Sequence, residues 1–210
     1  MELGPLRLQA GDKVTLNPHS WHREANLLFI DQPVGTGLSY TNVKDGYAKN
    51  DNIISAHFYR FLQNFFHLHS RYVSKDGSST RAFYLSGESH AGHYIPIMAS
   101  YILKRNNELA QQKQQQQVSD NNDLSISLQG LALGNPWVDP PNQYDVSDLA
   151  HGLGLISVGQ RNRLKEQEAD CKSLLRKGRL NQRTCFALLD SVIDGTATRT
   201  SQVALLFNCT

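Results

Sequence analysis

The segment Arg81-Ala82-Phe83-Tyr84-Leu85-Ser86-Gly87-Glu88-Ser89-His90-Ala91-Gly92-His93 constrains the fold more than any other part of this chain. It passes from aromatic and aliphatic residues suited to a strand, through a tight Gly-x-Ser-x-Ala turn, into helix-forming residues. A serine at a sharp strand-to-helix turn stands at the end of its sheet with the hydroxyl presented outward, where a nucleophile is needed. Gly87 and Ala91 are small, as they must be if strand and helix approach closely there. The amide of His90 would lie at the helix N-terminus, aimed where an oxyanion forms. The other reading of the same pattern is a glycine-marked turn carrying a surface serine. The rest of the chain decides between them.

With 210 residues the chain has enough sequence for one sizeable core. Its 40% hydrophobic and 19% charged content is that of a folded soluble protein. Net charge is only +2 and the Lys and Arg are scattered, so nothing asks for nucleic acid. No apolar run approaches the roughly 18 to 20 residues that span a bilayer. Met1-Glu2-Leu3-Gly4-Pro5 has neither the basic flank nor the apolar core of a signal peptide.

Cys171, Cys185 and Cys209 have no CxxC spacing, which argues against zinc; no metal and no cofactor are expected. Cys171 and Cys185 could close a short loop, leaving Cys209 as a free thiol or as the partner of a cysteine elsewhere. Asn208-Cys209-Thr210 is a glycosylation sequon, in keeping with a secretory route.

Along the chain, Lys13-Val14-Thr15-Leu16 reads as a short strand, and Asn26-Leu27-Leu28-Phe29-Ile30 as a strand buried on both faces. Val34 to Tyr40 then forms a glycine-rich loop that lacks the pattern of a phosphate cradle. From Asp51 to about Tyr72, Ile54, Phe58, Phe61, Leu62, Phe65 and Leu68 recur at helical spacing, with Asn50 or Asp51 as N-cap. His57, His67 and His69 on this helix read as surface or helix-edge residues rather than metal ligands. Ile95 to Leu103 continues a helix after the Ser89 turn, with Pro96 tolerable only near its first turns. The glutamine-rich stretch at about 110–123 reads as an inserted surface loop. Leu124 to Leu133 is a further strand ending in Gly134-Asn135-Pro136, and residues 161–192 carry helix-favouring sequence. Alternating strands and helices imply a mostly parallel sheet flanked by helices, an α/β fold. In such sheets the site lies beyond the strand C-termini. The 31–40 loop, the Ser89 turn and the 134–139 loop are therefore expected on one rim.

Four segments resemble the serine carboxypeptidases of the α/β-hydrolase fold. Gly87-Glu88-Ser89-His90-Ala91-Gly92-His93-Tyr94-Ile95-Pro96 resembles that family's nucleophile signature, Gly-Glu-Ser-Tyr-Ala-Gly-His-Tyr followed by an aliphatic residue and Pro. Trp21 with Asn26 to Tyr40 resembles a second signature, a strand ending in Asp-x-Pro-x-Gly-x-Gly-x-Ser-Tyr. Gly134-Asn135 with Trp137-Val138-Asp139-Pro140 resembles a third, and Gly154-Leu155-Ile156 a fourth. They occur in the family's order, so the resemblance covers nearly the whole chain. His90 departs from the family's Tyr and Pro136 from its Gly, and the glutamine-rich loop is extra.

The resemblance implies a partial α/β-hydrolase domain over 1–210, with the start of a helical cap at about 160–210. Ser89 would be the nucleophile and the His90 N–H an oxyanion-hole donor. Glu88 and Glu2 would pair to bind a substrate's terminal carboxylate. Two adjacent carboxyls cannot both ionise cheaply, so one keeps its proton and donates to that carboxylate. The implied substrate is the C-terminus of a peptide or protein. The implied location is the secretory pathway, vacuolar, lysosomal or extracellular. It also implies a Cys171–Cys185 disulfide, closing a loop of about 13 intervening residues.

The family's Gly-Gly-Pro-Gly-Cys-Ser segment would precede Glu2, and its catalytic Asp and His would follow residue 210. The chain thus reads as a piece of a longer enzyme, inactive alone. A base of its own would have to come from His151 with Asp139, Asp145 or Asp148. His93 reads as packing within its helix. An acyltransferase with the same serine, or a non-catalytic homologue, would share these motifs. Oligomeric state cannot be read from the sequence.

Overall fold

The structure, a computed structural model, describes residues 3–115, 122–179 and 183–197. The strands are β1 (Leu6–Gln9), β2 (Lys13–Leu16), β3 (Phe83–Glu88) and β4 (Leu128–Gly134). The helices are α1 (Asp51–Leu68), α2 (Ala91–Gln114), α3 (Pro140–Gln143), α4 (Ser147–Gly152), α5 (Val158–Arg176) and α6 (Arg183–Ala197). The chain divides into two compact units, residues 1–81 with 100–126, and residues 82–99 with 127–210.

In the first unit β1 and β2 form an antiparallel hairpin with Leu6 opposite Leu16 and Leu8 opposite Val14. Gly11 and Asp12 turn it with φ of 73° and 56°, the left-handed region that Gly enters freely and Asp tolerates. Only β2 was expected. The alternation Leu6-Arg7-Leu8-Gln9 before a Gly-Asp turn was the signal for its partner. The expected strand at 26–30 is absent: these residues pair with no strand, and Phe29 is 63% exposed. An apolar run forms a strand only where a neighbour takes its N–H and C=O groups, and no described segment does so here.

Helix α1 is capped by Asn50, whose side chain accepts the Ile53 N–H at 3.0 Å. Ile54, Phe58, Leu62 and Phe66 form its buried stripe, while Phe61 and Leu68 are exposed. It stops at Leu68, and residues 70–72 make a separate 3₁₀ turn. The core of this unit is completed by Ile102 and Leu109 of α2 and by Leu124 and Ile126. Leu124 and Ile126 lie in a segment braced by side-chain amides. Gln63 accepts the Leu124 N–H and donates to its carbonyl, both at 2.8 Å. Asn106 does the same to Ile126 at 2.9 and 2.7 Å. Helix α2 runs through Gln114, so residues 110–114, expected in a loop, are helical; 116–121 lie outside the described residues.

In the second unit β3 and β4 pair in parallel, joined through α2 as a βαβ crossover, with Glu88 opposite Gly134. The strand expected over 124–133 is shorter and later, Leu128–Gly134. The unit's main apolar cluster joins Tyr144, Ala150, Ile156, Leu164, Cys171, Leu175, Cys185 and Leu188. Cys171 and Cys185 are bonded, with Cα atoms 5.0 Å apart, and tie α5 to α6 inside this cluster. Ser157 and Gln160 form a capping box at the start of α5. The buried Glu168 carboxylate accepts from the Val146 N–H, the Ser147 N–H and the Ser147 hydroxyl at 2.8, 2.6 and 2.8 Å. Those bonds hold α4 against α5.

Candidate active site

Ser89 follows the last residue of β3 with φ of 57°. A side chain in the left-handed region costs about 1–2 kcal/mol, so the surroundings must enforce it. They do so through the main chain. The Ser89 N–H donates to the Gly134 carbonyl at 3.0 Å, while the Ser89 carbonyl accepts from the N–H groups of Gly92 (3.0 Å) and Trp137 (2.9 Å). Asn135 also has positive φ, 40°, although it precedes a proline. Two left-handed residues thus face each other across the ends of two parallel strands.

The small residues are required. A Cβ on Gly87 would stand 2.6 Å from the Ala91 Cβ and 2.8 Å from Ile95 Cδ1. One on Gly92 would meet Pro136 Cβ at 2.5 Å and the Trp137 nitrogen at 2.6 Å. Strand, helix and the segment after β4 therefore converge on the serine turn. The turn and the 134–139 loop both leave the C-terminal ends of paired parallel strands, as expected of a shared rim. The 31–40 loop does not follow a strand; Asp31 braces it by accepting the Leu38 N–H at 2.8 Å.

Glu88, Ser89 and His90 are all exposed and consecutive at this rim. His90 stacks on Trp137, with ring centroids 5.4 Å apart and planes 18° apart, and meets Tyr94 edge-on at 4.7 Å. His93 packs among the same rings, 5.7 Å from His90 and 5.9 Å from Trp137. Glu2 lies outside the described residues. Trp137 and Asn135 are the site residues that motif reading did not single out for a role. The signal for Asn135 was its type, since Asn tolerates the left-handed region better than most residues.

Among the described residues no hydrogen bond links the Ser89 hydroxyl to a histidine or carboxylate. His151 holds the Ile156 carbonyl at 3.1 Å, Asp148 pairs with Arg161 and Lys165, and Asp145 with Lys172. Asp139 accepts from the Asn142 side-chain amide at 2.5 Å, so each partner of the alternative base arrangement is engaged elsewhere.

A left-handed serine turn of this kind, at the end of a parallel βαβ pair, is the arrangement of an α/β-hydrolase fold. The comparisons agree: the fold matches a prohormone-processing carboxypeptidase, Kex1(Δ)p of Saccharomyces cerevisiae, with a TM-score of 0.71 at 30% identity. That match covers 93% of this chain and 40% of the other. The family model described as serine carboxypeptidase matches residues 1–206, and the chain belongs to that family. It is 42% identical over 191 residues to a pheromone-processing carboxypeptidase KEX1 of Phytophthora infestans. It is 39% identical over 210 residues to a serine carboxypeptidase S10 family member of Dictyostelium discoideum. These alignments take in 90% and 97% of this chain but only 30% and 34% of the relatives. The chain spans about a third of the length of the curated relatives it matches.

Proposed function

We propose that this chain carries the nucleophile and part of the substrate site of a serine carboxypeptidase, which releases C-terminal residues from peptides or proteins. The observation that carries this reading is the left-handed Ser89 between the C-terminal end of β3 and the start of α2. The hydroxyl is exposed there, and the next amide, that of His90, opens the helix.

In the reaction, Ser89 Oγ attacks the carbonyl of the last peptide bond while a histidine base takes its proton. The His90 N–H donates to the oxyanion of the tetrahedral intermediate. Collapse expels the C-terminal amino acid as the amine, which takes the proton from the histidinium. Water then attacks the Ser89 ester, releasing the shortened peptide and restoring the hydroxyl. The base and the acid that orients it would come from sequence outside this chain. Glu88, at the end of β3 beside Ser89, would hold the free carboxylate of the substrate together with Glu2. The buried Cys171–Cys185 bond supports folding in an oxidising compartment, hence a secretory, vacuolar or extracellular protein. No helix among the described residues is long and apolar enough to cross a membrane.

The test is a chimera in which this chain replaces the matching segment of its Dictyostelium relative. Release of the C-terminal residue from a blocked dipeptide is the expected result. Ser89→Ala should abolish it, and Glu88→Ala should raise KM for substrates with a free carboxylate. Turnover that survives Ser89→Ala would overturn the assignment.

A further inference from the structure

Gln143 stands at the far end of a chain of amides that finishes in the nucleophile turn. Pro140 and Pro141 open α3, and its single helical turn brings Gln143 back beside Asp139, whose carbonyl accepts the Gln143 N–H at 2.9 Å. There the Gln143 carboxamide meets three main-chain groups. Its Oε1 accepts the N–H groups of Val138 and Asp139, both at 2.8 Å, and its Nε2 donates to the Pro136 carbonyl at 2.6 Å. Only this orientation satisfies all three, because a turned-over carboxamide would set its NH₂ against two donors.

The Pro136 carbonyl and the Trp137 N–H belong to one planar trans peptide, so a group that fixes the oxygen also fixes the hydrogen opposite it. That hydrogen is donated to the Ser89 carbonyl at 2.9 Å. The Ser89 carbonyl and the His90 N–H belong in turn to the next planar peptide. A second bond to the Ser89 oxygen, from the Gly92 N–H at 3.0 Å, lies within the turn itself, whereas the Trp137 bond reaches it from another loop. Three amides therefore stand head to tail, each accepting at its oxygen and donating from its nitrogen, and the chain ends on the His90 N–H.

We propose that Gln143 is a positioning residue for the oxyanion donor: its carboxamide fixes the Pro136–Trp137 peptide, which holds the Ser89–His90 peptide and with it the His90 N–H. The role rests on the reading of that N–H as the oxyanion donor. A preorganised donor gains its effect because it need not reorient as charge develops, so a side chain that fixes the donor's peptide contributes without touching substrate. Hydrogen-bonded amides in a chain also polarise one another, by about 10–30% per bond, which makes the last N–H a stronger donor.

The experiment is amide NMR on the ¹⁵N-labelled chain, which needs no turnover. Gln143→Met keeps the length of the side chain and removes all three of its bonds. The Trp137 N–H should then exchange with deuterium at least about fivefold faster. The amide protons of residues 90 and 137 should move upfield as polarisation is lost. Gln143→Glu, ionised at neutral pH, still accepts from Val138 and Asp139 but has no hydrogen for the Pro136 carbonyl. It should leave exchange at 138 and 139 as in the parent while changing residues 90 and 137 as Gln143→Met does. A side chain that only braced the loop would leave all four amides unchanged in the Glu variant, and that result would overturn the proposal. So would equal shifts at the amides of Leu85 and Ile95, buried on either side of the turn, which would make Gln143 general packing. In the chimera, Gln143→Met should weaken a blocked amino aldehyde, whose hemiacetal oxygen takes the place of the oxyanion, by about tenfold. KM should stay within about twofold. Equal weakening of aldehyde and substrate, or of neither, would also overturn the role. A chimera without turnover before any change at 143 would instead refute the carboxypeptidase reading, and the spectra alone would then judge Gln143.

Discussion

A Cβ built on Gly87 falls 2.6 Å from the Ala91 Cβ, so the strand entering the serine turn and the helix leaving it have no spare room. Ile95 Cδ1 can turn aside, but the Ala91 Cβ is fixed to its backbone, and relief there would need α2 to move from β3. Gly87→Ala should therefore destabilise by about 1–3 kcal/mol, the usual cost of overpacking. Gly134→Ala is the control, because its Cβ would meet Glu88 Cγ at an ordinary 3.6 Å. Its effect should stay within about 0.5 kcal/mol. Urea unfolding of the two variants checks the contrast.

The left-handed Ser89 makes a separate claim on stability. Gly pays nothing for φ of 57°, whereas Ala pays the steric cost without a hydroxyl to offset it. Ser89→Gly should be more stable than Ser89→Ala by about 1 kcal/mol, and both should be inactive in the chimera. Equal melting temperatures for the two would mean that the turn relaxes to a conformation unlike the one described.

The Cys171–Cys185 bond closes a loop between helices whose other contacts are apolar. For a loop of about 15 residues the cross-link stabilises by about 3 kcal/mol, chiefly by restricting the unfolded chain. Cys171→Ala with Cys185→Ala should lower stability by about that amount. Reductant should destabilise the parent to a similar degree and leave the double variant unmoved, which denaturant titration with and without reductant will show.

The sequence was most legible where chemistry dictates local geometry. The run from Phe83 to Gly92 required a strand, a serine turn and a helix, because small residues at 87, 91 and 92 have few other uses in that order. The stripe of α1 and its Asn50 cap were equally readable. Composition misled where the outcome depends on distant partners. Asn26 to Ile30 looks like a buried strand, but periodicity cannot say whether a neighbouring strand exists to bond it. Gln111 to Gln114 look like loop, yet glutamine is a good helix former and α2 simply continues through them. The roles of Trp137 and Asn135 were hidden for a third reason. Their positions follow from the parallel register that sets Glu88 opposite Gly134, and register is a property of two strands together.

Acid should unfold the chain through carboxylates that the native structure holds ionised. Asp76 is drawn down from 3.8 to about 2 by hydrogen bonds from the Ser74 hydroxyl and from the N–H and hydroxyl of Ser78. Asp148 is lowered by Arg161 and Lys165, and Asp145 by Lys172. Each folded-state pKa lies below its unfolded value, so the unfolded chain takes up protons first as pH falls. The stabilisation is complete above about pH 5, where both states are ionised, and drains away as pH falls from about 4 towards 2. These groups are exposed, so each contributes modestly and the effect is collective. The melting temperature should be nearly level from pH 7 to 5 as far as these groups are concerned, then fall steeply below 4. Asp76→Asn combined with Asp148→Asn should flatten the fall by lowering the plateau rather than by raising the acid limb. A fall of the same steepness in that double variant would show that other groups drive the acid transition.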